Sequence, residues 1–142
     1  MQDQNDWKSL NHFTSYLMDK VNCQQKILAE YFGASFEQKC GRCGNCLNPV
    51  TYVAVDNTQH AKQLVTCLQR MQSLKENVSV DELAGTYIGS KGALIKNQKF
   101  DQIPAYRKGK GHFKSISHLT GFIYYLIITG IFVENLRDEQ DR

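Results

Sequence analysis

The amino-acid sequence predicts a mostly α-helical chain in two parts, a small helical subdomain with a cysteine cluster and a larger helical domain. Three observations lead to this fold class. Apolar residues recur at helical spacing in five segments, four of the five cysteines fall within residues 23–46, and "IFVE" near the end has the composition of a short strand. Because Pro49 biases the preceding residue away from helix, we place the two parts at residues 1–50 and 51–142.

Two helices are predicted in the first part. Residues 6–19 carry an apolar stripe at helical spacing, made by Trp7, Leu10, Phe13, Leu17 and Met18. Asn22 is the predicted N-cap of a second helix, whose apolar residues are Ile27, Leu28, Tyr31 and Phe32. Gly33 fits the left-handed position just after the end of that helix.

The second part has the element order of a winged helix-turn-helix domain. A helix over residues 58–74 comes first, and a capping box, Ser79 with Glu82, then opens a short helix through residue 88. A Gly/Lys-rich segment leads to a long helix over residues 113–129, which Gly130 ends before the "IFVE" strand. Many small helical domains share this order, so it indicates the fold only weakly.

Basic residues cluster in the second part, although the net charge is only +3. Between residues 85 and 115, Asp101 is the one acid against seven basic residues: Lys91, Lys96, Lys99, Arg107, Lys108, Lys110 and Lys114. Such clustering favours a polyanionic partner, and an ordinary solvated surface is the alternative. No apolar run reaches the roughly 18–20 residues of a membrane helix, and no secretory signal is visible. We therefore expect an intracellular protein with reduced thiols and no membrane partner.

Four cysteines form a predicted metal-binding set, Cys23, Cys40, Cys43 and Cys46. Two successive CxxC turns aim sulfurs at one ion, and zinc prefers four thiolates in a tetrahedron. An iron–sulfur cluster uses the same ligands, so the spacing leaves it open. A redox CxxC pair would leave two cysteines unexplained, and catalytic zinc would need an open position.

The remaining cysteine and the four histidines show no sequence pattern of a metal-binding or catalytic site. Cys67 lies on the apolar face of its predicted helix and is expected to be a packed core thiol. The histidines show no metal-ligand spacing and no Ser/His/Asp set, and we expect them at the surface or in interfaces: His12, His60, His112 and His118.

Three stretches resemble segments of RecQ-family DNA helicases. "CQQKILAEYFGASFEQKCGRCGNCLNP" is similar to the family's zinc-binding segment, with a cysteine at a helix start, "YFG", and a final "C.NC" pattern. "VSVDELAGTYIGSKGALIKNQKF" and "AYRKGKGHFKSISHLTGFIYYLIITGIFVEN" are similar to its winged helix. This chain has Gln24 and Gln25 where the family usually has two arginines, and Ala34 where it has a glutamate.

The resemblance implies residue roles in DNA binding. Ser90 is the serine of the family's "GS" pair and Lys110 the basic residue of its Gly/Lys loop, both suited to phosphate contacts. Leu94 stands where relatives often have a basic residue, which Lys91 or Lys96 would replace. Charge alone adds four further candidates: Arg107, Lys108, His112 and Lys114.

On this resemblance, the chain is interpreted as the accessory C-terminal region of a RecQ-type 3′–5′ DNA helicase acting in replication, recombination and repair. Its expected partners are duplex or forked DNA and helicase motor domains, and its expected cofactor is structural zinc. No GxxxxGK[ST] loop is present, so ATP and Mg²⁺ belong to a motor-containing parent and the chain alone is expected to be inactive.

The wing of this domain is expected to be minimal, because "NLRDEQDR" is too short and too charged for a returning strand. The expected compartment is the nucleus in a eukaryote and otherwise the cytoplasm. Two alternatives remain at this point: an independent zinc winged-helix regulator of transcription, and a protein-interaction module.

Overall fold

A computed structural model describes residues 2–51 and 53–134. It divides into two compact units, residues 1–55 and 56–142, where the sequence placed the division at residue 50. Within the described residues the helices are α1 (Gln2–Met18), α2 (Gln24–Tyr31), α3 (Gly44–Leu47), α4 (Thr58–Gln72), α5 (Val80–Ile88), α6 (Ala93–Asn97), a 3-10 turn (Phe100–Gln102) and α7 (Ile116–Ile128). The predicted mostly α fold class is confirmed. None of the helices in the described part of the chain is long and apolar enough to cross a membrane.

In the first unit, the predicted start of α2 is wrong by one residue, because Cys23 and not Asn22 is the N-cap. Asp19 explains the difference. Its carboxylate accepts hydrogen bonds from the backbone amides of Val21 and Asn22 at 2.8 Å, and from the Asn22 side-chain amide at 2.7 Å. The Asn22 side chain is therefore committed to the turn that ends α1. At the other end of α2, Gly33 has φ +76°, the predicted left-handed conformation.

The second unit has its core where α5 packs against α4 and α7. Each of the two helices buries part of an apolar face: α4 contributes Leu64, Cys67 and Met71, and α7 contributes Leu119, Ile123, Leu126 and Ile127. Cys67 is fully buried and lies 3.8 Å from the Met71 sulfur, as expected of a core thiol. Leu83, Ala84 and Tyr87 of α5 belong to this core, and the Gly/Lys-rich segment follows the C-terminal end of the helix.

The capping box at the start of α5 is confirmed. The Ser79 hydroxyl accepts a hydrogen bond from the Glu82 amide at 3.2 Å, and the Ser79 amide donates to the Glu82 carboxylate at 2.8 Å. Glu82 is only 2% exposed and also pairs with the ammonium group of Lys75. Two polar interactions thus hold a buried carboxylate at the helix N-terminus, where the helix dipole favours negative charge.

The predicted strand at residues 131–134 is wrong. Gly130 takes φ +78° and turns the chain back, so the amides of Ile131 and Phe132 donate to the Leu126 carbonyl at 2.9 and 3.1 Å. These amides close the end of α7 and are unavailable for a strand ladder. Among the described residues the β pairing is a single bridge, Lys110 to Phe113. The stretch judged too short for a returning strand, residues 135–142, lies outside the described part of the chain.

Candidate metal centre and nucleic-acid interface

The four predicted cysteine ligands lie together in the first unit. Cys23 caps α2, Cys43 caps α3 and Cys46 lies within α3, so two helix starts and one tight turn deliver the sulfurs. All four Sγ atoms lie within 4.8 Å of one another. The Sγ atoms of Cys40 and Cys46 are 3.9 Å apart, and those of Cys23 and Cys43 are 4.0 Å apart.

These separations fit one tetrahedral ion. Zinc–sulfur bonds of about 2.3 Å place neighbouring ligand sulfurs about 3.8 Å apart. A polynuclear iron–sulfur cluster distributes its four cysteines over two or more irons, so sulfurs bound to different irons must lie farther apart than these. The donor set therefore fits a single thiophilic metal ion with four protein ligands and no open position.

Backbone amides surround the sulfurs and favour their ionised form. The Cys40 amide donates to the Cys23 sulfur at 3.4 Å, and the Cys43 amide donates to the Cys40 sulfur at 3.2 Å. Burial alone would raise the pKa of Cys43, but hydrogen bonds from the backbone of Gln24 and Cys46 outweigh it and lower that pKa to about 6. Burial raises the pKa of Cys46 to about 11. The thiols thus differ in acidity, and a bound ion would displace the proton that the least acidic one keeps.

The second candidate site is built at the C-terminal end of α5. Gly89 ends the helix with φ +85°, and the chain returns there at residues 106–110, which we call the basic loop. The loop amides of Arg107 and Gly109 donate to the α5 carbonyls of Thr86 and Tyr87 at 3.1 and 2.9 Å. The carbonyls that end a helix are thereby satisfied, and the loop takes a fixed position on the unit.

Close packing makes this attachment tight. A Cβ atom at Gly89 would lie 2.0 Å from the Arg107 side chain, and one at Gly109 would lie 2.5 Å from the Tyr87 ring. The Tyr106 hydroxyl donates to the Ser90 carbonyl at 3.0 Å. Two glycines therefore let the loop approach α5, and Tyr106 ties Ser90 to it.

The cations of this region project into solvent. The six predicted Lys and Arg contacts are exposed, and none pairs with a carboxylate among the side chains that the structure describes: Lys91, Lys96, Arg107, Lys108, Lys110 and Lys114. Ser90 is half-buried and accepts a hydrogen bond from the Gly92 amide at 3.3 Å. Leu94 is 54% exposed.

His112 is exposed but already has partners within the unit. Its Nε2 atom lies 2.8 Å from the Asn57 side-chain oxygen, and its ring stacks on His60 with centroids 3.9 Å apart. His60 in turn lies 2.7 Å from the Tyr87 hydroxyl. Burial and the neighbouring His112 lower the pKa of His60. His112, a predicted DNA contact, therefore also links the chain just after the basic loop to the N-terminal end of α4.

Comparison with known proteins finds a family match in each part of the chain. Residues 1–47 match the family described as RecQ zinc-binding, and residues 51–140 match the RQC domain. The chain belongs to the RQC-domain family. The resemblance to RecQ helicases is thereby confirmed, and the second unit is an RQC winged helix.

Three curated relatives of this RQC chain are DNA helicases. ATP-dependent DNA helicase RecQ of Bacillus subtilis (strain 168) is 30% identical over 122 residues, which is 86% of this chain and 19% of that protein. ATP-dependent DNA helicase hus2/rqh1 of Schizosaccharomyces pombe is 25% identical over 89% of this chain and 9% of its own length. ATP-dependent DNA helicase Q1 of Mus musculus is 23% identical over 63% of this chain and 14% of its own length. The chain spans less than a fifth of each relative.

Several residues that position the basic loop of the RQC domain were not identified from the sequence. Tyr87 and Tyr106 attach the basic loop to α5, and His60 contacts Tyr87, but no local pattern in the sequence marks these roles. Arg107 has φ +65°, an uncommon conformation for a side-chain-bearing residue, and only the packing against Gly89 reveals it. The one available signal in the sequence was that Gly89 and Gly109 lie in a segment rich in lysine.

Proposed function

We propose that the chain is the DNA-binding region of a RecQ-type 3′–5′ DNA helicase, which holds duplex or forked DNA through phosphate contacts. The observation that carries the proposal is the set of exposed cations around the basic loop of an RQC domain, which pair with no carboxylate among the described side chains. Lysine and arginine side chains supply most of the affinity for nucleic acid by releasing counterions from phosphates. Contacts of this kind fix position on the duplex and carry little sequence information.

The basic loop suits this role because its backbone is held in place. The hydrogen bonds to Thr86 and Tyr87 fix the loop before DNA arrives, so binding orders fewer residues. Lys110 follows Gly109 directly, and Lys114 precedes the N-terminus of α7, where the helix dipole also favours phosphate. The proposed contacts are the predicted residues: Ser90, Lys91, Lys96, Arg107, Lys108, Lys110, His112 and Lys114.

Structural zinc is the proposed occupant of the cysteine site. The four Sγ atoms have the separations that tetrahedral zinc requires, and the matching family is described as zinc-binding. Four protein ligands saturate the ion, so its contribution is to folding rather than catalysis. The four cysteines would supply thiolates, and the amides of Cys40 and Cys43 would stabilise that charge.

Helicase motor domains are the proposed protein partner. The relatives are ATP-dependent DNA helicases several times longer than this chain, so ATP and Mg²⁺ would act in a motor outside it. Three apolar side chains of α1, Leu10, Phe13 and Leu17, are each at least half exposed. An apolar face of this kind is typical of a surface that another domain covers. The proposed processes are DNA replication, recombination and repair, in the nucleus of a eukaryote or otherwise in the cytoplasm.

The proposal is tested by DNA binding at several salt concentrations. Fluorescence anisotropy with blunt and forked duplexes of unrelated sequence should show salt-sensitive affinity with little sequence preference. Lys110→Ala should weaken binding several-fold on every sequence and reduce the salt slope by about 1. Arg70→Ala, which removes an exposed cation at the far end of α4, should bind like the parent.

Two results would overturn it. Absence of salt-sensitive DNA binding in the zinc-loaded chain would indicate a protein-interaction module. Strong preference for one duplex sequence, lost when Lys110 is replaced, would indicate a transcriptional regulator instead.

A further inference from the structure

Aromatic side chains line one face of α7, next to the basic loop. His118, Phe122 and Tyr125 follow one another at spacings of four and three residues, which places them on a common face of the helix. The rings of Phe122 and Tyr125 are nearly parallel, with 13° between their planes and centroids 6.4 Å apart. We call these three residues the aromatic row.

The aromatic row begins close to the C-terminal end of the basic loop. Phe113 contacts both His118 and Phe122, with ring centroids 5.5 and 5.6 Å apart. The backbone of Lys110 bridges to Phe113, and the Lys114 amide lies 3.4 Å from the His118 ring nitrogen. The aromatic row therefore lies close to the exposed Lys110 and Lys114, with the buried ring of Phe113 beside it.

Core packing accounts for only part of the row, because Phe122 packs against the core but His118 and Tyr125 are exposed. The buried side of α7 is formed by Leu119, Ile123, Leu126 and Ile127. Tyr125 is 55% exposed, His118 is exposed and Phe122 is half-buried. No residue of α7 is charged, so no carboxylate on this helix would repel a polyanion lying along it.

We propose that the aromatic row is a stacking surface for unpaired bases of a single-stranded nucleic acid whose phosphates lie on the basic loop. This rests on the proposed function, since the loop must bind phosphate. Single-strand sites combine cations that follow the backbone with aromatic rings that stack on bases. Bases inside a duplex are already stacked and present only their edges, so the row selects unpaired nucleotides.

The dimensions of the row agree with this ligand. Tyr125 follows His118 by seven positions of the helix, which corresponds to about 10 Å of rise. Stacked nucleotides rise about 3.4 Å each, so two or three bases would span the row. A purely apolar protein partner would match the rings but not the cations that adjoin them.

Single-residue variants test the row with three probes: an oligo(dT), an abasic oligonucleotide of the same length, and a blunt duplex. Tyr125→Ala should weaken oligo(dT) binding by roughly fivefold to tenfold. It should leave abasic and duplex binding unchanged, since these depend on phosphate contacts. Tyr125→Trp should bind oligo(dT) at least as well as the parent, and Tyr125→Leu should resemble the alanine variant because it keeps apolarity without a ring.

Tyr124 supplies the matched control. It is 43% exposed on the same helix but lines a groove with Val80 and Leu68 on another side. Tyr124→Ala should therefore bind all three probes like the parent. An equal loss for Tyr124→Ala and Tyr125→Ala would show a general effect on α7 and overturn the assignment.

The outcomes separate this inference from the proposed function. If Tyr125→Ala binds oligo(dT) like the parent while Lys110→Ala weakens duplex binding, the row is not a stacking site and the phosphate site stands. If the losses of Tyr125→Ala are equal on oligo(dT) and abasic probes, stacking is also excluded. If no probe binds at any salt concentration, both proposals fail.

Discussion

Gly109→Ala tests how the basic loop is held against α5. A Cβ atom at position 109 would lie 2.5 and 2.7 Å from two carbons of the Tyr87 ring, where ordinary contacts are 3.4–4 Å. Tyr87 cannot move away easily, because it is fully buried and its hydroxyl contacts Gln63 and His60 at 2.7 Å. The loop must therefore shift by about 1 Å, which breaks the 2.9 Å bond from the Gly109 amide to the Tyr87 carbonyl.

The expected cost is about 2–4 kcal/mol in the free energy of unfolding of the second unit. Overpacking contributes about 1–3 kcal/mol, and the lost hydrogen bond contributes about 1 kcal/mol or more. Native-state hydrogen exchange at buried amides such as Leu126 measures this unit by itself. DNA affinity should fall as well, because residue 109 lies between Lys108 and Lys110.

Gly111→Ala is the matched control in the same segment. Gly111 has φ +89° but nothing within 4 Å of its Cβ position, so only backbone strain of about 1 kcal/mol is expected. The packing argument is refuted if Gly109→Ala is as stable as the parent, or if Gly111→Ala costs more.

Three further predictions concern other parts of the chain. Cys43→Ser should abolish zinc binding and unfold the first unit, seen as loss of bound zinc and a change in the fluorescence of the single tryptophan, Trp7, whereas Cys67→Ala should keep the metal. Glu82→Gln should cost about 1–2 kcal/mol at neutral pH. Burial raises the pKa of Glu82, but hydrogen bonds from Lys75 and Ser79 lower it below its ordinary 4.5, so parent stability should fall as pH drops below that value and the variant should lose less. Gly121→Ala should stabilise α7 by about 0.5–1 kcal/mol in urea unfolding, because nothing lies within 4 Å of the added carbon; a destabilised variant would contradict the open space there.

Local signals in the sequence predicted the elements that depend on local chemistry. The capping box of Ser79 and Glu82, the left-handed Gly33 and the apolar faces of α4 and α7 depend on residues within a few positions of one another. The cysteine cluster could also be predicted from the sequence, because three of its members lie within seven residues. The helices α6 and α3 were missed, since each is five residues or fewer and lacks a side-chain cap.

Long-range contacts explain the features that local sequence patterns missed or predicted wrongly. "IFVE" has strand composition, but its first amides are used by the Leu126 carbonyl, a choice set by the turn at Gly130. Likewise, Asn22 is a good N-cap by type, and only its bond to Asp19 removes it from that position. His112 reaches Asn57 and His60 across more than fifty residues, a contact that no local pattern encodes.

The two cysteines that begin helices have a consequence for metal exchange. Cys23 and Cys43 are the N-cap residues of α2 and α3, so two of the sulfurs that would bind the ion begin helices. Asn45, between two cysteines, also donates to the carbonyls of Asp19 and Asn22 at 2.9 and 2.8 Å. Removal of the ion would therefore loosen the starts of α2 and α3 and the end of α1 together. The helix content of this unit should therefore depend on metal occupancy. A chelator titration followed by circular dichroism should measure that dependence.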